Sequence, residues 1–146
     1  MAQKMTDGEW RAFVSHGSLT GKPSTVRADD NPHVTPVWFL LDGDDMLFTT
    51  GRQSVKGRNL ARDGRVALCV DDDRPPYGFV VLQDRAGLSE DLERGLDEVR
   101  YWATRLGVRY MGAERAEEFG FGNGVPEELL VRVRVEKVLA YAAVAD

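Results

Sequence analysis

The sequence predicts a mainly β, single-domain fold with accessory helices, in which six strands form a closed or partly closed barrel. Three observations predict it. Strand-forming runs are punctuated by Asp, Asn and Gly clusters. At 146 residues and 42% hydrophobic, the chain suffices for one packed core and is too short for two comfortable domains. Six strands in so short a chain favour closure, because closing a sheet removes its exposed edges.

Thr6 and Glu9 have capping-box spacing, and Trp10, Phe13 and Val14 follow at helical spacing, so a first helix is expected to end at Gly17. A three-stranded meander follows. It comprises Ser24 to Arg27, Val34 to Leu41 and Met46 to Thr50, with turns at 28–31 and 42–45. Ser54 opens a short helix that runs to Asp63-Gly64. Two strands come next, Arg65 to Val70 and Tyr77 to Leu88, around the turn 71–76. Ser89, Glu90, Asp91 and Glu93 form an acidic helix start, and Leu92, Leu96, Val99, Ala103 and Leu106 continue one apolar face as far as Gly107. A shorter helix, Glu114 to Phe119, is expected before a glycine-rich loop at 120–124. Leu129 to Tyr141, with alternating Val131, Val133 and Val135, predicts one final long strand.

Composition narrows the function. Nineteen Lys and Arg against 24 Asp and Glu leave a net charge of -5, which disfavours nucleic acid, since non-specific affinity there comes from cations neutralising phosphates. One cysteine, Cys69, cannot form an intrachain disulfide or a cysteine-based metal site, and a reducing cytoplasm fits. The charged N-terminus and the lack of any run of about 18 apolar residues predict neither export nor membrane insertion. His16 and His33 lack partners at metal-ligand spacing, Asp71, Asp72 and Asp73 look like a turn, and no serine sits in a nucleophile elbow.

Two segments carry chemistry. In Thr49 to Leu60 a strand runs through Gly51 into a Ser54-capped helix, placing backbone N–H groups, hydroxyls and cations together. A helix N-terminus favours an anion through its unpaired N–H groups and dipole, and Lys56 in the first turn adds a point charge. Read alone, Arg52, Lys56, Arg58 and Arg62 equally fit a solvated helix face. The second segment is His33 to Leu40, where Pro36 removes a ladder donor and marks a place where the strand turns from its neighbour. A planar ring can dock there against backbone groups and Trp38; a core strand with an edge proline fits the same residues.

Taken together, Thr25 to Asp29, Pro32 to Phe39, Leu47 to Gly51, Val55 to Leu60 and Arg65 to Asp72 resemble the split-barrel superfamily of pyridoxamine-phosphate-oxidase-like proteins, and most nearly its deazaflavin-dependent reductases. The resemblance covers roughly residues 10–90 and implies a six-stranded, Greek-key-like, FMN-binding-type split β-barrel working as a homodimer with cofactor sites at the interface. It implies coenzyme F420 as cofactor, with FMN as the alternative, and a small conjugated organic molecule as hydride acceptor. Val34, Thr35, Pro36, Val37, Trp38 and Phe39 then lie along the ring system. Thr49, Thr50, Ser54 and Lys56 hold the phosphate, Arg58 and Asn59 bind phosphate or an acidic tail, and Tyr77, Gly78 and Phe79 approach the cofactor. The hydride comes from the cofactor, so the resemblance implies no dedicated catalytic acid or base. Where FMN oxidases of this fold carry a second cation before the lysine, this chain has Val55; it also stops after its last strand without their C-terminal Trp and Arg segment, so pyridoxine-phosphate oxidation is not expected. An FMN enzyme of the same fold and a non-catalytic cofactor carrier remain the alternatives, and a helical insert over 89–120 is expected to shape the substrate pocket.

Overall fold

The computed structural model describes residues 3–89 and 92–145. Helix α1 (Asp7–Ser15) starts as its capping box predicts: the Glu9 N–H donates to Thr6 Oγ1 at 3.2 Å, and the Thr6 N–H donates to Glu9 Oε1 at 3.0 Å. Strands β1 (Gly21–Val26), β2 (Pro32–Val34), β3 (Leu40–Asp42) and β4 (Asp45–Gly51) precede helix α2 (Val55–Arg62). Strands β5 (Arg65–Asp71) and β6 (Phe79–Leu88) lead to helix α3 (Leu92–Met111), a 3₁₀ turn (Ala113–Arg115) and helix α4 (Ala116–Asn123). Strands β7 (Glu128–Arg134) and β8 (Lys137–Tyr141) end the chain.

The pairing is antiparallel throughout, in the order β2-β1-β5-β6-β7-β4-β3, with β8 on β6. The two outermost strands, β2 and β3, are neighbours in the chain. Residues 32–42 therefore close the barrel: the first half pairs with β1 (Ser24 opposite Val34) and the second with β4 (Leu40 opposite Leu47). Between the halves the ladder lapses around Pro36, which has no N–H to donate, and only a bridge between Val37 and Gly21 remains.

This corrects the expectation of one strand from Val34 to Leu41. The predicted strand Leu129 to Tyr141 also divides, because β7 pairs with β4 whereas β8 turns back to pair with β6. Among the described residues eight strands thus stand where six were expected.

The barrel core contains the fully buried Phe39, Met46, Phe48, Leu68, Val70, Val80, Leu82, Val131 and Val133, with Trp10 and Val14 of α1 plugging one end. Each such side chain contributes about 1.5–3 kcal/mol through burial. Strands β1, β5 and β6 alternate as half-buried strands do, and Lys22, Cys69, Val81 and Leu139 form one row across the outer face. A second, smaller core of Leu47, Val99 and Leu130 with Trp102 seats α3 on the far side of β4 and β7.

The helical segment differs from expectation in two places. Helix α3 passes through Gly107 to Met111, and α4 includes Gly120, Phe121, Gly122 and Asn123, which were expected in a loop. The reason is packing: a Cβ on Gly107 would sit 3.1 Å from the Ala116 carbonyl oxygen, and one on Gly120 would overlap Thr104 Oγ1. These glycines let α3 and α4 approach closely rather than ending them. The predicted acidic start at Glu90 and Asp91 lies outside the described residues.

Candidate functional site

The break in the barrel seam opens onto a cavity of about 500 Å³. Strand β4 contributes Thr49 and Thr50, α2 contributes Lys56, and the seam contributes Pro36, Val37 and Trp38. Leu106 of α3, Phe119 and Asn123 of α4, Thr20 and Glu128 complete the wall. One end is polar and carries both Lys56 and Glu128; the other is flat and apolar.

The polar end is built by the turn from β4 into α2. The Ser54 hydroxyl caps α2, accepting from the Gly57 N–H at 3.0 Å and donating to the Gly51 carbonyl at 2.7 Å, with Thr50 Oγ1 3.0 Å away. Gly57 is obligatory in this turn, since a Cβ there would overlap the Gly51 carbonyl oxygen. Lys56 follows in the first helical turn, half-buried, and its ammonium enters no ion pair of 4 Å or less among the described residues. Burial pushes the Lys56 ammonium below its ordinary range, with the charge of Glu128 opposing the shift. Burial likewise pushes the Glu128 carboxyl up, with Lys56 opposing.

The apolar end depends on residues that sequence reasoning missed. Trp38 stacks on Tyr110 with ring centroids 5.1 Å apart and planes 3° from parallel, and meets Phe119 edge-on at 5.3 Å. Tyr110 is itself fixed: its hydroxyl donates to the Leu19 carbonyl at 2.8 Å and accepts from the Phe39 N–H at 3.1 Å. Arg109 donates to the carbonyls of Phe39 (2.7 Å), Val14 (2.7 Å) and Gly17 (3.0 Å). The last turn of α3 therefore holds the seam where its own ladder lapses. Nothing in residues 105–111 signalled this, because the groups they satisfy are backbone carbonyls about 70–95 residues away.

The structure divides the expected site residues. Pro36, Val37, Trp38, Thr49, Thr50 and Lys56 share the cavity wall, and Ser54 supports it from behind. Val34 is 59% exposed on the outer face, and Thr35 has a buried hydroxyl with no partner among the described residues. Phe39 belongs to the core, and both of its backbone groups are engaged by Arg109 and Tyr110, so it has none left for a ring. Asn59 is buried; its amide donates to Thr25 Oγ1 at 3.0 Å and its carbonyl accepts from Arg62, so it ties α2 to the barrel rather than facing the cavity. Arg58 is exposed and donates to Gln53. Tyr77, Gly78 and Phe79 lie at another edge, against Phe13, Tyr141 and Ala142, and none lines the cavity within one chain. Glu128 was not expected at all, since only the β4–β7 register sets it opposite Gly51.

Other readings find little support. A concavity of about 410 Å³ around Ser24, Ala67, Gln83 and Lys137 mixes Arg65, Arg85 and Lys137 with Asp84 and Glu136 and has no aromatic wall. Among the described residues no cluster of three metal-ligating side chains occurs, and no helix is long and apolar enough to cross a membrane.

The family model for pyridoxamine 5'-phosphate oxidase matches residues 6–142. The chain belongs to this family. It is 30% identical over 140 residues to an F420H(2)-dependent biliverdin reductase of Mycobacterium tuberculosis (strain CDC 1551 / Oshkosh), covering 92% of this chain and 88% of that one. Its fold is shared by a conserved hypothetical protein from Mycobacterium tuberculosis, with TM-score 0.77 and 24% identity over 94% of this chain and 84% of the other. It is also shared by an F420 reductase, with TM-score 0.65 and 24% identity over 87% of this chain and 94% of the other. The mainly antiparallel split-barrel expectation is thereby met.

Proposed function

We propose that this oxidoreductase is a reductase that binds the deazaflavin coenzyme F420 in the cavity beneath the barrel seam and passes hydride to a conjugated organic substrate. The carrying observation is the pairing, in one cavity, of a half-buried lysine outside any ion pair among the described residues with a flat aromatic wall. The cofactor's general form fits these residues. Its phosphate suits Lys56, the hydroxyls of Thr49 and Thr50 and the Gly57 turn; its tricyclic ring suits Pro36, Val37 and Trp38. The biliverdin reductase relative supports a deazaflavin over FMN.

When bound, the reduced cofactor would supply the hydride, and the one proton that completes the two-electron reduction would come from solvent or another donor. The chain's own task is placement. Lys56 anchors the charged end by a charge-assisted hydrogen bond, Trp38 and Val37 limit the tilt of the ring, and Leu106 and Phe119 exclude water from the reacting face. The seam holds its shape because Arg109 and Tyr110 fix the backbone at Phe39. A homodimer completes the reading. The outer row of Cys69, Val81 and Leu139, the last 47% exposed, offers a second copy an apolar surface, and its Tyr77 to Phe79 segment would then close the cavity from across the interface.

The test is a fluorescence-quench titration with oxidised F420 and, in parallel, FMN. Micromolar or tighter preference for the deazaflavin is expected, and preference for FMN would move the protein to flavin chemistry. Binding without oxidation of the reduced form by any acceptor would make it a carrier. Lys56→Ala should weaken cofactor binding by about 1.5–3 kcal/mol, the range for a hydrogen bond to a charged group. Unchanged affinity would remove Lys56 from this role.

A further inference from the structure

Glu128 is an anomaly in a cavity read as a phosphate site. It heads β7 opposite Gly51, and its Oε1 lies 3.8 Å from where a Gly51 Cβ would stand. A carboxyl group is thus laid over the same turn that leads into α2, on the wall it shares with Lys56, Thr49 and Thr50. The groups facing it from each packed element are few. Among the described residues, helix α2 presents Lys56, β4 the two threonine hydroxyls, α4 Phe119 and Asn123, and α3 the uncharged Gly95, Leu96, Val99 and Leu106. From the loop after β4, Arg52 reaches the same region, but its guanidinium donates to the carbonyls of Pro126 (2.9 Å) and Ser89 (3.4 Å). Among the described residues, an incoming phosphate therefore meets one uncommitted cation and one carboxyl group together.

We infer that Glu128 selects ligands by phosphate charge, admitting a phosphodiester with its single negative charge and disfavouring a phosphomonoester with nearly two. The inference deepens the functional reading and rests on it. Coenzyme F420 carries its phosphate as a diester. FMN carries a monoester, whose second ionisation near pH 6 leaves it close to doubly charged at pH 7.5. In a half-buried, partly dehydrated site the repulsion by Glu128 grows with the ligand's charge, so a monoester close to doubly charged suffers it about twice over.

The experiment compares wild type and Glu128→Gln at pH 7.5, titrating F420, FMN and riboflavin, which has the flavin ring without phosphate. The expected result is that Glu128→Gln binds FMN at least ten-fold more tightly, F420 no more than three-fold more tightly, and riboflavin unchanged. Glu128→Asp should keep the wild-type order, and Glu128→Met supplies the neutral variant if Gln does not fold by circular dichroism. A native-like neutral variant with an unaltered FMN-to-F420 ratio overturns the inference, as does an equal gain for riboflavin. Lys56→Ala separates the two levels: if it binds F420 and FMN as wild type does, the phosphate reading falls and this inference falls with it. If it loses both while Glu128→Gln leaves the ratio unaltered, only the selection by Glu128 is wrong.

Discussion

The two ends of the cavity treat buried polar groups in opposite ways. At the seam, Arg109 and Tyr110 together satisfy the backbone carbonyls of Val14, Gly17, Leu19 and Phe39 and the Phe39 N–H. At the α2 corner, Lys56 and Glu128 are half-buried and pushed toward their neutral forms by burial, and neither joins an ion pair among the described residues. Buried polar groups are nearly always hydrogen-bonded, and the seam cluster is tied up in this way, whereas two half-buried charges outside an ion pair stay open to further partners. The contrast separates residues that hold this protein together from residues that the proposed function assigns to a ligand.

The sharpest way to break that contrast is Arg109→Ala. It removes three charge-assisted bonds to carbonyls and should destabilise the chain by about 3 kcal/mol, less than the sum of separate bonds because they share one seam. Urea denaturation measures it; a loss near zero would mean the seam is held elsewhere. Gly57→Ala, which drives a methyl group into the Gly51 carbonyl, should cost about 2 kcal/mol and impair ligand binding as well, since the turn must open. Thermal melts with and without F420 separate the two effects. Thr6→Ala, far from the cavity, removes one cap and should cost about 1 kcal/mol with no change in affinity.

The smallest expected effect tests the unsatisfied corner directly. The Glu128 carboxyl is raised by burial, so the stability it contributes is present below its ordinary value of 4.5 and lost as pH rises through its folded value. Glu128→Gln should therefore match wild type near pH 3.5 and exceed it at pH 7, by less than about 1 kcal/mol because the group is only half-buried. Guanidinium titrations at the two pH values read the difference. A variant less stable than wild type at pH 7 would mean that Lys56 and Glu128 support the fold as a pair.

Much of the barrel was legible because its signals are local. The Thr6–Glu9 box, the Ser54 cap and the strand-forming runs of β4, β5 and β6 depend on neighbours within a few residues, and all appear in the structure. The same holds for Lys56 with Thr49 and Thr50, which one turn brings together. The errors were of another kind. Asn59 carries the polarity expected of a ligand contact, yet Thr25, 34 residues away, claims it. Gly107 and Gly120 carry the sign of helix ends, yet they are contact points between α3 and α4.

The sequence by itself determined the strands and turns, the anion-favouring corner from Thr49 to Gly57, and the weak point of the ladder at Pro36, since each follows from side-chain period, capping or a missing N–H. Tertiary structure alone decided that residues 32–42 would be shared between β1 and β4, that Arg109 and Tyr110 would hold the resulting gap, and that Glu128 would face Lys56. Those outcomes depend on strand order and register. Both are set by which faces bury together across the whole chain, and no local stretch of residues encodes that.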